Sequence, residues 1–315
     1  SDNAMHSSVK EFDLMGRVKC IGLASNKSKF QRLSISIINA ITLTLKGNLT
    51  NLSHALFDKY LMVSQKLNLV SALNKNKLNQ YDNIICHFGN DGYYICKLRE
   101  LGVISGPIST VFHGHEMSRY DMINKYLPQY EQLFVKGDLM LPISELWKKQ
   151  LIKWGCAASK IKVHRMGIDV NDFEVKPLDS SLSSPLKVVQ VGRLTEKKAI
   201  LDSINAIVLA SQKVSIEFTI IGDGELYKPA KELIESLSAS GYIHLLGRQP
   251  QSIVKKHLDD ADVFLLPSVR AKDGDMEGVP VALMEAMAKG LLVISTYHSG
   301  IPELIKNGES GFLVG

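Results

Sequence analysis

Two carboxylates, Glu277 and Glu285, stand in the segment Asp275-Met276-Glu277-Gly278-Val279-Pro280-Val281-Ala282-Leu283-Met284-Glu285-Ala286-Met287-Ala288, which follows an apolar strand ending at Pro267-Ser268. Gly278 permits close backbone approach, and Pro280 suits the first turn of a helix, where its missing N–H costs nothing. A helix is therefore predicted to start near Val279, with free N–H groups and a positive dipole end suited to a phosphate. Its body is apolar on every side except at Glu285, and a carboxylate there needs a hydrogen-bonding partner. A ligand's hydroxyl pair, such as a ribose, meets that need; so does a solvent edge or a neighbouring lysine. Glu277 lies just outside the helix, within reach of a group further along the same ligand.

Three further turns carry polar groups. In Val191-Gly192-Arg193-Leu194-Thr195-Glu196-Lys197-Lys198, Arg193 ends a buried strand and Lys198 follows in the connecting loop. Two cations there would neutralise a diphosphate, Arg by its bidentate fork and Lys as a point charge, although solvated loops carry lysines too. Ile220-Ile221-Gly222-Asp223-Gly224-Glu225-Leu226 is a strand-to-helix turn with only Gly-x-Gly. Tyr227 stands where a dinucleotide fingerprint needs its third glycine, which disfavours a nicotinamide-dependent oxidoreductase. Phe112-His113-Gly114-His115-Glu116 ends a strand in the first half, from which His113 would face a cleft; a satisfied structural histidine is the alternative.

Other patterns are set aside. Asp273-Gly274-Asp275 has the spacing of a Mg²⁺ or Mn²⁺ clamp but reads as a polar turn. His6, His54, His257 and His298 lack metal-ligand spacing, and no metal site is expected. A glycosidase needs two carboxylates facing one bond in an open groove, which Glu285 inside an apolar helix does not supply.

These residues must be positioned by alternating elements. Short β-branched runs at 187–192, 216–221, 243–246, 263–266, 292–295 and 311–314 alternate with helical stretches at 200–211, 225–239, 250–259, 280–289 and 302–307. This pattern predicts a doubly wound α/β domain with a parallel sheet. The same alternation appears upstream, with strands at 83–87, 108–112, 139–142 and 162–165, preceded by a helix-like region rich in Lys, Asn and Ser. The expected organisation is an incomplete Rossmann-like domain over 6–173, a linker over 174–186 containing Pro177 and Pro185, and a second Rossmann-like domain over 187–315, with a cleft between the carboxyl ends of two sheets.

Composition sets the outer bounds. With 315 residues, 45% hydrophobic and 22% charged, the chain is an ordinary globular protein with room for two cores. Cys20, Cys86, Cys96 and Cys156 form no C-x-x-C pair, which fits a reducing cytosol. No apolar run approaches the ~18–20 residues of a membrane span. The net charge of +5 is too small for a nucleic-acid binder. It is also local: Ile21–Gln80 carries eight basic residues against the single acid Asp58, so the remainder is slightly acidic.

Taken together, the motifs resemble the retaining glycosyltransferases of family four, with the GT-B architecture. Glu277 and Glu285 match the family's E-x7-E pair; Gly192, Arg193, Leu194 and Lys198 its G-R-L-…-K element; Gly222–Gly224 its G-D-G turn; and Gly300-Ile301-Pro302-Glu303 its closing motif. His87-Phe88-Gly89, Phe112-His113-Gly114-His115, Leu141-Pro142-Ile143-Ser144, Val163–Asp169 and Leu265–Ser268 resemble more narrowly the colanic-acid and amylovoran branch of exopolysaccharide glycosyltransferases. The resemblance implies a UDP- or GDP-sugar donor and no cofactor or metal. It implies that Arg193 and Lys198 bind the diphosphate with the backbone near Gly278 and Val279, that Gly222 belongs to the donor site, that Glu285 holds the ribose and Glu277 the sugar hydroxyls, and that His113 approaches the transferred sugar. It implies a hexosyltransferase acting on a polysaccharide or lipid-diphosphate-linked acceptor at the cytoplasmic face of the membrane. With such an acceptor in an anionic leaflet, the local charge makes residues 21–80 the expected surface for anionic lipid, an ordinary solvated helical face being the alternative. Ala199 departs from the family's usual glycine and Glu116 from its commoner aspartate. The family's opening strand and closing helices are not found, so the chain is expected to be truncated at both ends, and a nucleotide-sugar-binding fragment without turnover is the alternative.

Overall fold

The computed structural model describes residues 13, 16–17, 28–75, 78–175 and 183–315. Most of the expected linker, and part of the basic segment, lie outside the described residues. The chain divides into two compact units: the residues up to Cys86 with Asn90–Ser109, and His87–Gly89 with Thr110–Gly315.

In the first unit, helices α1 (Lys29–Leu45), α2 (Leu49–Leu56) and α3 (Val63–Asn74) precede strands β1 (Asn79–Gln80) and β2 (Ile84–His87), helix α4 (Gly89–Glu100), and strands β3 (Ile104–Ser105) and β4 (Ile108–Phe112). Ser28 opens α1 with a reciprocal capping box to Gln31. A buried polar knot ties α4 to the end of α2: Asp58 pairs with Lys97 at 3.0 Å and accepts from the Tyr93 hydroxyl at 2.7 Å. These partners hold the Asp58 carboxyl below its ordinary pKa although burial pushes the other way.

β2 and β4 run on into the second unit, where β5 (Leu139–Pro142) joins them in the order β2-β4-β5. Around them lie α5 (His115–Ser118), α6 (Tyr120–Lys136) and α7 (Glu145–Lys153). The stretch 162–165 is not a strand. Lys162 and His164 donate to Met140 and Pro142 at 3.0 and 2.9 Å, but the regular pairing stops at an isolated bridge.

The rest of the second unit is a six-stranded parallel sheet. Its strands are β6 (Leu186–Val191), β7 (Ile216–Ile221), β8 (Ile243–Gly247), β9 (Val263–Leu266), β10 (Leu292–Thr296) and β11 (Phe312–Val314). They are ordered β11-β10-β9-β6-β7-β8, the order of a Rossmann sheet. Their β-branched runs are buried on both faces by α8 (Ile200–Ser211), α9 (Tyr227–Ser236), α10 (Gln251–Asp260) and α11 (Val281–Ala288). Helix 225–239 is shorter than its pattern predicted, because Gly224 and Leu226 pack on the loop after β6 and delay its start. Residues 302–307 form no α-helix; a single 3₁₀ turn, Ile301–Glu303, stands there. Glu303 in that turn accepts from the backbone N–H groups of Glu145 and Leu146 at 3.1 and 3.2 Å and from Arg165 at 3.0 Å, so its carboxylate caps α7.

Candidate functional site

The chain starts the sheet at β6, builds outward to β8, then returns to lay β9 on the other side of β6. The loops leaving β6 and β9 therefore diverge at the topological switch point, where open α/β sheets bind ligands. Those two loops carry Lys198 and Glu277. Lys198 Nζ lies 2.8 Å from Glu277 Oε1, with the side chains only 13% and 7% exposed. Ser268 Oγ donates to the same oxygen at 3.2 Å. An ammonium has three donors, so Lys198 keeps others for an incoming anion.

The turn 298–300 fixes the backbone of Glu277. Its N–H donates to His298 Nε2 at 3.2 Å, and its carbonyl accepts from the Ser299 hydroxyl. His298 is buried, and burial holds its pKa below the ordinary value, helped by nearby Arg270, Lys197 and Lys198 and opposed by Glu277. A neutral ring accepting at Nε2 carries its proton on Nδ1.

Beside this pair a cleft of about 670 Å³ opens over the carboxyl ends of β6, β7 and β8. Arg193, Gly222, Asp223, Arg248 and Gln249 are among its walls. That volume falls in the range of small-molecule sites. Gly222 is required by packing: a Cβ there would lie 1.8 Å from the carbonyl oxygen of Gly192. Arg193 is exposed, with its side chain free to meet a ligand from solvent.

His113 ends β4, and its N–H donates to Glu116 Oε1 at 2.6 Å. Glu116 is fully buried, and burial pushes its pKa up to about 7. Gly114 has no room for a side chain, because a Cβ would lie 2.6 Å from Gly278 N and 2.8 Å from Glu277 O. The His113 turn is thus packed directly on the Glu277–Gly278 turn.

The structure therefore joins Lys198 to Glu277, packs the turn that follows His113 on Glu277 and Gly278, and sets Arg193 and Gly222 in the adjoining cleft. Helix α11 begins at Val281 with Pro280 as its extended N-cap, two residues later than the predicted start, so Val279 belongs to the turn before the helix. Glu285 is half-buried on α11. Burial raises its pKa, opposed by the Lys255 charge, and no described residue forms an ion pair with it. Asp275 pairs with Lys197 at 3.0 Å and lies 3.4 Å from His115, while Asp273 Oδ1 accepts from the N–H of Asp275.

Several residues escaped the sequence reading. Arg248 and Gln249 follow β8 and obey the same strand-end rule that found Arg193. His298 lacks metal-ligand spacing in the sequence, and its role as an acceptor leaves no mark there. Ser268 and Ser299 carry no signal in isolation.

The sheet order and its switch-point cleft are those of a Rossmann domain, and the fold is the one found in GT-B glycosyltransferases. Solved structures agree: HepE of Anabaena in complex with UDP-glucose matches with a TM-score of 0.63 at 20% identity, over 81% of this chain and 70% of that one. A glycosyltransferase from Rickettsia africae matches with a TM-score of 0.63 at 17% identity, over 99% of this chain and 74% of that one.

Residues 178–315 match the model of the family described as glycosyl transferases group 1. It is 50% identical over 234 residues to the colanic acid biosynthesis glycosyltransferase WcaL of Escherichia coli K12, covering 74% of this chain and 57% of that protein. It is 46% identical over 257 residues to the amylovoran biosynthesis glycosyltransferase AmsK of Erwinia amylovora, covering 81% of this chain and 63% of that protein. The chain thus spans about three-fifths of the length of these relatives.

Proposed function

We propose that this chain is the core of a retaining, metal-independent hexosyltransferase that uses a UDP- or GDP-sugar to extend a lipid-linked exopolysaccharide intermediate. The observation that carries the reading is the Lys198–Glu277 pair at the switch point, with Gly114 packed on the Glu277–Gly278 turn and Lys198 lying against Gly192 in the cleft wall. Lys198 and Arg193 neutralise the donor diphosphate, helped by backbone near Gly222, Gly278 and Val279. Glu285, raised in pKa by burial and free of an ion-pair partner among the described residues, accepts the ribose hydroxyls. Glu277 orients the sugar hydroxyls, and His113 meets the transferred sugar. In a front-face transfer the acceptor oxygen bonds to the anomeric carbon as the bond to the leaving phosphate oxygen breaks, and the acceptor proton passes to that phosphate.

Transfer of labelled hexose from UDP- and GDP-sugars to a lipid-diphosphate acceptor tests this reading. Glu285→Ala and Lys198→Ala are expected to abolish it, and unchanged transfer would refute the site. Thermal stabilisation by UDP or GDP without any transfer would favour a binding role instead.

We place the protein at the cytoplasmic membrane surface through residues 21–80. Helix α1 supports this, since it exposes Phe30, Ile37, Ile38, Ile41 and Leu45 beside Arg32 and Lys46. Among the described residues no helix is long and apolar enough to cross a membrane. Co-sedimentation with anionic vesicles is expected at low salt and lost at high salt; no salt-sensitive binding would end the idea.

A further inference from the structure

The strand end at His87 carries a group that neither the charge pair nor the cleft uses. His87 Nδ1 lies 3.0 Å from His113 Nε2. The rings are nearly parallel, at 17°, with centroids 5.3 Å apart. At that nitrogen–nitrogen distance the two rings share one proton in a hydrogen bond. Two neutral arrangements satisfy it. In one, His113 donates from Nε2 to His87 Nδ1, and both rings carry their protons on Nε2, the form imidazole side chains prefer in water. The other needs both rings in the less stable Nδ1–H form.

The flanking residues hold this contact in place. Phe88 has φ +72°, a left-handed conformation that is costly for an aromatic residue, and its ring centroid lies 5.0 Å from that of His113. Its N–H donates to Val111 at 2.9 Å. Gly89 admits no side chain: a Cβ would stand 2.5 Å from the Tyr130 ring and 2.6 Å from the Phe112 ring. Backbone strain of this kind persists only where the surroundings over-determine it. His113 is fixed from its other side by Glu116 and by the packing of Gly114 on Gly278.

We propose that His87 is a positioning residue for His113, accepting its Nε2 proton and so fixing the tautomer and orientation of that ring. His113 Nδ1 is then left unprotonated, as a hydrogen-bond acceptor. The consequence for sugar transfer rests on the functional reading above; the tautomer does not.

The deciding experiment is long-range ¹H–¹⁵N correlation on the ¹⁵N-histidine-labelled chain as wild type, His87→Ala, His87→Asn and His113→Ala, the last assigning the His113 signals. His87 is exposed, so its replacement opens no core. Wild type is expected to show His113 protonated at Nε2, with that proton shifted downfield by its hydrogen bond. His87→Asn is expected to retain both features, because the Asn amide oxygen overlays the imidazole Nδ1. In His87→Ala the proton returns upfield and the ring nitrogens move toward a solvent-averaged mixture. His113 signals unchanged in His87→Ala would overturn the proposal.

Release of UDP from UDP-glucose, and of GDP from a GDP-hexose, supplies the kinetic arm. His87→Ala is expected to lose on the order of 10–100-fold in kcat with little change in KM, and His87→Asn to recover most of it. If His113→Ala keeps wild-type turnover, the functional reading of His113 fails while the tautomer result stands. If His113→Ala is inactive and His87→Ala is not impaired, the positioning role fails.

Discussion

Replacing Lys198 by Met isolates the energetics of the switch-point pair. At 2.8 Å and an effective dielectric constant of about 20, the two charges attract by about 6 kcal/mol before desolvation is counted. Both side chains are largely withdrawn from water, so the substitution strands a buried carboxylate rather than exposing one. Breaking a buried pair from one side costs about 3–5 kcal/mol. The Ser268 hydroxyl still donates to Glu277, which sets the expectation near 3 kcal/mol. With an m-value of about 3 kcal/mol/M, the urea midpoint should fall by about 1 M. The double variant Lys198→Met/Glu277→Gln carries no charge at the site and is expected within about 1 kcal/mol of wild type. The cycle should therefore return a coupling of at least about 2 kcal/mol. A loss below about 1 kcal/mol in Lys198→Met, or additive single variants, would refute the account of Lys198 and Glu277 as a desolvated pair.

Three further outcomes are expected. Glu116 is an acid whose folded pKa is raised, so the folded chain binds the extra proton: stability is fully present below the ordinary value of 4.5 and is lost as pH rises to about 7. The loss should reach about 3 kcal/mol, and Glu116→Gln, which keeps an acceptor for His113, should remove it when urea midpoints at pH 5 and 8 are compared with wild type. Gly222→Ala drives a methyl into the Gly192 carbonyl, backbone against backbone, and should destabilise by about 3 kcal/mol or more by thermal or urea unfolding. Ala199 adopts φ +50° in the left-handed region but buries its methyl. In Ala199→Gly, relief of about 1–2 kcal/mol opposes lost burial and glycine entropy of similar sum, so urea unfolding should show a change within about 1 kcal/mol.

Strand–helix alternation and the strand-end rule made most of the second unit legible. The strands at 216–221 and 263–266, and the helix at 200–211, appear as their β-branched or amphipathic patterns predict. What pattern could not give were terminations decided by tertiary packing. The stretch 162–165 pairs by backbone on one side yet forms no strand, and 302–307 ends after one turn because Glu303 is committed to α7. At the site, the residue types pointed to Lys198 and Glu277 as ligand-binding groups, but not to their contact with each other. That pairing follows from sheet order, which joins positions 79 residues apart and is invisible in spacing. His298 and His87 escaped because a histidine's use as an acceptor depends on which atom faces it, and only three-dimensional placement decides that.

The carboxylate of Glu303 has a bearing on the time course of folding. Its three hydrogen bonds span sequence separations of 138, 157 and 158 residues. Loops of that length are closed at an entropic cost that local elements never meet, so these bonds form after the nucleus rather than within it. Interactions absent from the transition state govern the unfolding rate and leave the folding rate almost untouched. Glu303→Ala should therefore steepen the loss of native signal in an unfolding jump while refolding proceeds at its usual pace. On this basis Glu303 sets how long the folded chain endures, not how quickly it is made.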